Sequence, residues 1–311
     1  KILKNIRPDI VLAINVYSGI IIHELGYPLV LADLELNSFK RVLGLGTLKG
    51  FVKYRKLFML TRDLEYEAKL AERYPVIVVT KIGYVYYKYH LGSNNVTILR
   101  AYPLRNEGRE ANNLLPASKD KITFIFIGKE ISSQIDKVLD STYRYTFNAR
   151  IIKPTIDILY KVFKKRKNIK LLVVGDSGLK SRDFIESVGY LKYHIDIYKY
   201  IAKSHFGLCT YQPSLTHLRG SMNRVYMFTL LGLPVFLTST YIDVIDDIRD
   251  YAIIVNSYNY EKDLYIKFLE TIESFEYDEY IKIRERLKRY ALNNLVWEVQ
   301  EHLLLDILSK A

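Results

Sequence analysis

A polar turn leads into an apolar helix in the run RGSMNRVYMFTLLGLPVF, residues 219–236. Ser221 suits the N-cap of that helix. The free N–H groups of a first helical turn attract anions, and Gly220 lets a ligand approach the backbone closely. Arg219 and Arg224 flank this turn, although the helix dipole opposes cations at this end. The segment therefore predicts an anion held between two arginines. The alternative is that both arginines are ordinary surface residues.

Three more cations are expected at the edge of a sheet, namely Lys129, Arg150 and Lys153. Lys129 comes directly after the apolar run ITFIFI and Gly128, whereas Arg150 and Lys153 precede the next helix. Ligands of open parallel sheets bind beyond the carboxyl ends of the strands, so these side chains would add positive charge to an anion site. Each of them alone is also typical of a solvated surface residue.

Two carboxylates, Asp33 and Glu35, follow the apolar run PLVLA. They are the candidates for a catalytic role, and the alternative is that they are solvated carboxylates of a loop. The sequence contains neither a G-x-G-x-x-G nor a P-loop lysine motif. Its one cysteine and six scattered histidines do not predict a metal site. The charge of a leaving group would then be neutralised by Arg, Lys and backbone amides.

The bulk composition indicates a globular protein with an anionic partner. Its 311 residues, 49% of them hydrophobic, suffice for one large domain or two ordinary ones. The net charge of +12 fits a phosphorylated small molecule, a nucleic acid or an acidic membrane surface. The single Cys209 excludes an internal disulfide, favours a reducing compartment and is expected in the core. The 27 tyrosines, with many Ile and Lys, are compatible with a heat-adapted protein.

The longest apolar stretch covers residues 9–31 and is interrupted by Asn15, His23 and Glu24. It falls short of the roughly 20 uninterrupted apolar residues that a membrane span needs. The chain shows no signal peptide, but it begins with Lys1 and not with Met, so upstream residues can be missing. We expect a cytoplasmic protein with reversible peripheral contact at the inner face of a membrane, because basic charge and many tyrosines suit an anionic interface.

Strands and helices alternate along the whole chain. The apolar runs predict strands at DIVLAIN, PLVLAD, VIVVT, VTILR, ITFIFI, IKLLVVG, FGLCTY, PVFLTS and AIIV. Helices are expected near residues 17–25, 50–72, 156–163, 181–187, 195–203, 222–231, 264–275 and 278–310, and Gly232 is placed to end the sixth in the left-handed conformation. Strands without polar alternation indicate parallel sheets that are covered on both faces. The polar run LRNEGREANNLLPASKDK predicts a linker.

The C-terminal half resembles the donor domain of GT-B glycosyltransferases, in particular retaining family 4. The motifs that carry the resemblance are, in chain order, IGK, VGDSG, IDIYKYIAKSHFGLCTY and NRVYMFTLLGLPV. The run PDIVLAINVYSGIIIHELGYPLVLADLEL resembles the family's N-terminal domain, and VWEVQEHLLLDIL around Trp297 is similar to its last helix. The resemblance implies an α/β fold of the GT-B type, with two Rossmann-like, doubly wound domains facing across a cleft and an abridged or incomplete N-terminal domain.

The domains implied by the resemblance are an acceptor-side domain over residues 1–112 and a nucleotide-sugar donor domain over 113–290. A final helix over residues 291–311 would pack back toward the first domain. The implied activity is metal-independent transfer of a sugar from a nucleotide-diphosphate sugar, with retention and without a cofactor. The acceptor would be a glycan, a lipid-linked group or a protein.

The resemblance also assigns site residues. The donor phosphates would contact Lys129, Arg150, Lys153, Arg219, Gly220, Ser221 and Arg224. The nucleotide would contact Gly128, Gly175, Asp176, Tyr190 and Met227. At the two donor-site positions where the family usually carries glutamates, this sequence has Arg219 and Met227.

Two other functions stay open. One is a GT-B-like module that binds a nucleotide or polyanion without sugar transfer, and the loss of the two glutamates favours it. The other is a nucleic-acid-binding protein that uses basic charge and tyrosine stacking. Nucleic acid is disfavoured as a partner, because Lys and Arg are dispersed and KVFKKRKNIK is the one dense basic run.

Overall fold

The computed structural model describes residues 8–34, 50–111, 114, 119–128, 152–175, 179–181, 183–213, 217 and 222–310, without the side chains of residues 50–53, 55 and 56. Its contacts divide the chain into two compact units. The first unit runs to Ala101 and resumes at Gln300, and the second lies between Tyr102 and Val299. The boundaries expected after residues 112 and 290 both fall within the second unit.

The segment after Ala101 belongs to the second unit because its side chains pack there. The ring of Tyr102 lies 4.8 Å from the ring of Tyr226, in edge-on contact. The hydroxyl of Tyr198 donates a hydrogen bond of 2.5 Å to the carboxylate of Glu107. Contacts of this kind produce no hydrophobic periodicity in a polar segment. The sequence therefore predicted a linker here, although the segment packs in the second unit.

The first unit contains a parallel sheet whose described strands pair in chain order. The strands are β1 (Val11–Ile14), β2 (Leu29–Ala32), β3 (Val76–Val78) and β4 (Val96–Ile98). The helices between them are α1 (Val16–Glu24), α2 (Gly50–Arg73) and α3 (Lys81–Val85), which continues as a π-helical turn over Tyr86–His90. Every residue of β2 and β3 is buried, as expected for strands that are covered on both faces.

The second unit has a larger parallel sheet. Its strands are β5 (Ile122–Ile127), β6 (Ile169–Val174), β7 (Ile185–Gly189), β8 (Phe206–Cys209), β9 (Val235–Thr238) and β10 (Ala252–Val255). Its helices are α4 (Lys153–Lys165), α5 (His194–Ala202), α6 (Asn223–Leu230), α7 (Ile242–Ile248), α8 (Tyr260–Glu273) and α9 (Tyr277–Asn294), and α10 (Trp297–Ser309) follows them. The strand order is β10-β9-β8-β5-β6-β7, which is the doubly wound order of Rossmann-like sheets.

The helix predicted near residues 181–187 is wrong, because this part of the chain forms β7. β7 lies at the edge of the sheet and pairs only with β6 among the described strands. One side of an edge strand faces solvent, so β7 tolerates polar residues that a central strand excludes. Lys170 of β6 and Glu186 of β7 form a cross-strand ion pair at this edge.

The core of the second unit contains Cys209, which is fully buried as predicted. Gly232 ends α6 at φ 78°, so the predicted left-handed glycine is confirmed. A Cβ atom at this position would collide with the backbone oxygen of Arg284. Among the described residues, no helix combines the length and the apolar character needed to cross a membrane.

Tyr280 is a buried phenol beside the end of α5. The guanidinium of Arg284 donates to its hydroxyl at 3.4 Å and to the backbone oxygens of Ala202 and Ser204 at 2.9 and 3.3 Å. Burial raises the pKa of Tyr280 from 10.0 to about 12, although Arg284 acts in the opposite direction. The folded chain therefore holds this proton more tightly than the unfolded chain does.

We expect Tyr280→Phe to make the protein less sensitive to alkali. A raised folded-state pKa contributes stability that is complete below the unfolded pKa of 10.0 and is lost as the pH rises towards 12. From about pH 9 to pH 11 the free energy of unfolding, measured with urea, should fall in both proteins, and it should fall by about 1 kcal/mol less in the variant than in the wild-type protein. Equal losses in both proteins would contradict this account of Tyr280.

Candidate functional site

The strand order of the second unit places a switch point between β5 and β8. From β5 the chain builds β6 and β7 on one side, and then returns to build β8, β9 and β10 on the other. Ligands of such sheets bind in the crevice at the carboxyl ends of the strands on either side of the switch point. Gly128 follows β5 directly, and Tyr211 lies two residues beyond β8.

At this edge of the sheet, Gly128 and Gly175 allow two segments of backbone to approach each other closely. Gly128 has φ 144° and Gly175, directly after β6, has φ 116°, and side-chain-bearing residues rarely adopt either value. A Cβ atom on Gly175 would lie 2.7 Å from the backbone oxygen of Gly128. Only glycine fits at Gly175, and the bare backbone of Gly128 leaves room for a neighbouring side chain.

That neighbouring side chain is Arg224, the second residue of α6. A Cβ atom on Gly128 would lie 2.9–3.1 Å from the three nearest guanidinium atoms of Arg224. The guanidinium therefore rests directly on Gly128. Arg224 was predicted in the first turn of this helix, and this position is confirmed, but its side chain is half-buried and not exposed as a surface arginine would be.

Tyr211 holds the guanidinium from the other side. Nη1 of Arg224 donates to the Tyr211 hydroxyl, and the guanidinium carbon lies 6.0 Å from the centroid of the Tyr211 ring. Tyr211 itself is buried; its backbone oxygen accepts a 3.0 Å hydrogen bond from Thr238, and its ring meets that of Phe126 at 6.0 Å. Contacts with β5 and β9 thus fix the residue that orients Arg224.

The positive charge of Arg224 has no carboxylate partner among the described residues. A half-buried guanidinium without a counter-charge is costly, and a bound anion would remove that cost. The start of α6 also suits an anion. The predicted N-cap Ser221 is wrong, because α6 begins at Asn223 with Met222 as its N-cap, and Met222 has no side-chain oxygen with which to cap the helix.

The structure brings three of the predicted site residues together, namely Gly128, Gly175 and Arg224. It places Lys153 at the start of α4, where the ammonium lies 2.6 Å from the Asp157 carboxylate. Tyr190 is 80% exposed directly after β7, and Met227 is buried in the apolar core. The other predicted site residues lie outside the described part of the chain: Glu35, Lys129, Arg150, Asp176, Arg219, Gly220 and Ser221.

Asp33 lies in the first unit and is only 1% exposed. The Tyr87 hydroxyl lies 2.9 Å from the Asp33 carboxylate and 2.8 Å from the carboxylate of Glu67, which is also buried. Burial raises the pKa of Tyr87 well above 10, and the nearby Asp33 and Glu67 raise it further. The phenol therefore keeps its proton and bridges two carboxylates inside this unit.

Sequence reasoning missed Tyr211 and His217. His217 is buried, stacks on the ring of Tyr241 at 4.4 Å, and its Nδ1 lies 3.0 Å from the Thr240 hydroxyl. The rings of Tyr211 and His217 are 6.3 Å apart. The position of Tyr211, two residues past a central strand, was the signal that could have identified it.

A cavity of about 480 Å³ opens at the first residues of α4 and α8, and its size suits a small molecule. It is lined by Pro154, Gln212, Pro213 and Ser257–Lys262. The hydroxyl of Tyr260, a lining residue, lies 2.7 Å from the Thr155 hydroxyl, and both hydroxyls donate to the backbone oxygen of Thr210. Within the described residues, no group of three or more His, Cys, Asp or Glu side chains could hold a metal ion.

No protein-family model and no curated protein sequence matches this chain. Solved structures do match it. A sucrose-phosphate synthase from Thermosynechococcus elongatus matches with a TM-score of 0.65 and 10% identity over 100% of this chain and 76% of that one. A glycosyltransferase from Rickettsia africae ESF-5 matches with a TM-score of 0.62 and 14% identity, over 100% of this chain and 79% of that one. The E. coli trehalose-6-phosphate structure bound with UDP-2-fluoro glucose matches with a TM-score of 0.59 and 11% identity, over 94% of this chain and 76% of that one. These similarities show that the chain has an α/β fold of the GT-B type.

Proposed function

We propose that the protein is a glycosyltransferase that takes a sugar from a nucleotide-diphosphate sugar. The observation that supports this most is the Arg224 guanidinium, which lies half-buried on Gly128 at the switch point without a carboxylate partner in the described part of the chain. The GT-B fold adds support, because one structure of similar fold is bound with UDP-2-fluoro glucose.

In this proposal Arg224 contacts the donor diphosphate. When the bond between the sugar C1 and the phosphate oxygen breaks, negative charge grows on the leaving diphosphate, and a fixed cation stabilises that charge. Tyr211 keeps the guanidinium in place before the donor arrives. N–H groups at the start of α6 add donors, because the N-cap residue Met222 makes no side-chain hydrogen bond to them.

We propose that charge neutralisation by Arg224 replaces a metal ion, and that Lys129 and Arg219 add to it. The family resemblance further implies retention at C1, with the acceptor oxygen attacking from the face that the diphosphate leaves. The acceptor proton would then pass to the departing phosphate oxygen. We do not extend a catalytic role to Asp33, because its side chain is buried and its carboxylate lies 2.9 Å from the Tyr87 hydroxyl.

The test is a panel of UDP-glucose, UDP-N-acetylglucosamine, GDP-mannose and ADP-glucose in chelator. One of them at 100 times its dissociation constant should stabilise the fold by about 2.7 kcal/mol, which raises the melting temperature by several degrees. Prolonged incubation with that donor should release its nucleoside diphosphate. A protein that no donor stabilises would contradict the proposal.

A nucleotide-binding module without transfer activity is the second candidate. It is favoured by Met227, which is buried in the core at a position where the resembling family carries a glutamate. The same panel separates the two functions. Stabilisation by a donor without any release of nucleoside diphosphate supports the module, and stabilisation with release supports the transferase.

A further inference from the structure

The cavity at the first residues of α4 and α8 is not used by the proposed donor site. Its walls are formed by Pro154, Gln212, Pro213 and residues 257–262, and Arg224 is not among them. Its volume of about 480 Å³ lies within the range of pockets that bind small molecules. The second unit therefore carries a further space of ligand size, and its lining indicates what could occupy it.

Hydrogen bonds hold the rim of this cavity in place. The backbone N–H of Asn256 donates to the Asp263 carboxylate at 2.8 Å, and the side-chain oxygen of Asn256 accepts from the N–H of Tyr258 at 2.9 Å. The hydroxyl of Ser239 accepts from the N–H of Ser257 at 2.9 Å and donates to the Ser257 hydroxyl at 3.0 Å. The segment that leads from β10 into α8 is thus ordered in advance, so a ligand does not have to order it.

Polar side chains without a partner line the cavity. Four of them form no side-chain hydrogen bond or ion pair with any residue in the described ranges, namely Gln212, Asn259, Glu261 and Lys262. The charged residues that follow on α8 are bonded: Asp263 accepts from the N–H of Asn256, and Lys267 lies 3.4 Å from Glu270. The groups that are able to bond a ligand therefore lie at the cavity.

The chemistry of these four side chains indicates the class of ligand. The amides of Gln212 and Asn259 both donate and accept hydrogen bonds, whereas Glu261 accepts them and Lys262 donates them. The charges of Glu261 and Lys262 cancel, so neither an anion nor a cation meets a net opposite charge here. A hydroxyl group also donates and accepts, so an uncharged ligand with many hydroxyls satisfies all four side chains.

The two helix starts do not make the cavity an anion site. A helix start attracts anions through its free N–H groups and the helix dipole. Pro154 has no N–H group to offer in the first turn of α4. Glu261 and Asp263 place two carboxylates in the first turn of α8, and these offset the positive end of that helix. A neutral ligand is therefore favoured over a phosphate.

Tyr258 adds an apolar surface at the rim. Its side chain is 91% exposed, although its backbone is held by Asn256. The face of an aromatic ring carries negative potential and attracts polarised C–H groups. A pyranose ring presents C–H groups on one face and hydroxyls around its edge. A sugar therefore matches both the exposed ring and the polar side chains of the cavity.

We propose that the cavity binds a short neutral oligosaccharide, with one sugar ring stacked on Tyr258 and its hydroxyls bonded to the four polar side chains. This site goes beyond the proposed function, because it holds a glycan chain whether or not the protein transfers a sugar. Gln212 directly follows Tyr211, the residue that orients Arg224, so the cavity borders the donor site within the same unit.

The experiment is isothermal titration calorimetry with maltotriose, cellotriose, mannotriose and triacetylchitotriose at millimolar concentration. The wild-type protein should bind at least one of these trisaccharides, and Tyr258→Ala should weaken that binding about ten-fold. The matched control is Tyr193→Ala, which removes a 58% exposed ring from the same unit outside the cavity and should bind as the wild type does.

Tyr258→Ala should fold normally, because its ring is exposed, and unchanged thermal unfolding would show this. Its stabilisation by a nucleotide sugar should equal that of the wild type, so a failure of the proposed function is seen separately. The proposal is overturned if none of the four trisaccharides binds, or if Tyr258→Ala binds as tightly as the wild type. Binding of inorganic phosphate that Lys262→Ala abolishes and Arg224→Ala retains would assign the cavity to an anion and would also overturn it.

Discussion

Arg224→Ala should weaken the binding of a nucleotide-diphosphate sugar by about ten- to a hundred-fold, because a charge-assisted hydrogen bond to a phosphate contributes roughly 1.5–3 kcal/mol. The guanidinium rests on Gly128 and is oriented by Tyr211, so it is positioned before the donor binds. Isothermal titration calorimetry in chelator should show the loss, since the proposed site needs no metal ion.

Arg224→Lys is the matched control for charge. A lysine keeps the positive charge but lacks the planar fork that lies between Gly128 and the Tyr211 hydroxyl, so it should recover only part of the affinity. Both variants should retain most of the wild-type stability, because the half-buried side chain has Tyr211 as its one hydrogen-bond partner among the described residues. An Arg224→Ala protein that binds normally but melts several degrees lower would show that Arg224 is structural.

Gly175→Ala should destabilise the second unit by about 2–5 kcal/mol, through backbone strain and overpacking together. Its φ of 116° is unfavourable for alanine, and the new Cβ atom would lie 2.7 Å from the backbone oxygen of Gly128. Relief of this clash moves Gly128, and with it the surface on which Arg224 rests. Donor binding should therefore fall in the fraction of protein that remains folded.

Gly189→Ala separates strain from steric clash. Gly189 also has a positive φ, 76°, but a Cβ atom there would meet no atom within 4 Å. The free energy of unfolding of this variant should fall by only about 1 kcal/mol. Urea unfolding of both variants gives the comparison. Equal losses of stability in Gly175→Ala and Gly189→Ala would show that the close approach of Gly175 to Gly128 does not contribute to the destabilisation.

Apolar runs predicted the central strands correctly because a buried parallel strand needs apolar residues on both faces. Ile122–Ile127 coincides with the run ITFIFI, and Ile169–Val174 ends one residue before the glycine of the run IKLLVVG. The strand at Ile185–Gly189 was missed because an edge strand has the polar composition of a helix surface or a loop. Its pairing with β6 is a tertiary contact, which the local sequence pattern does not encode.

The candidate site was predictable in its residue types but not in its arrangement. The sequence indicated Arg224 in a first helical turn and glycines after two strands, since those features are local. It could not show that Arg224 rests on Gly128, because residues 96 positions apart meet only through the order of the strands. The same limit applies to Asp33, whose burial depends on Tyr87, 54 positions along the chain.

The central claim is that Arg224 binds the diphosphate of a nucleotide. Calorimetric titration of the wild-type protein and of Arg224→Ala with UDP and with uridine, or with the corresponding pair for whichever base the donor panel selects, tests it directly in a thermodynamic cycle. Removal of the diphosphate from the ligand should weaken binding to the wild type by about ten-fold or more, and should weaken binding to Arg224→Ala much less. If removal of the diphosphate weakens binding to both proteins by the same factor, Arg224 does not contact the diphosphate and the proposed site is wrong.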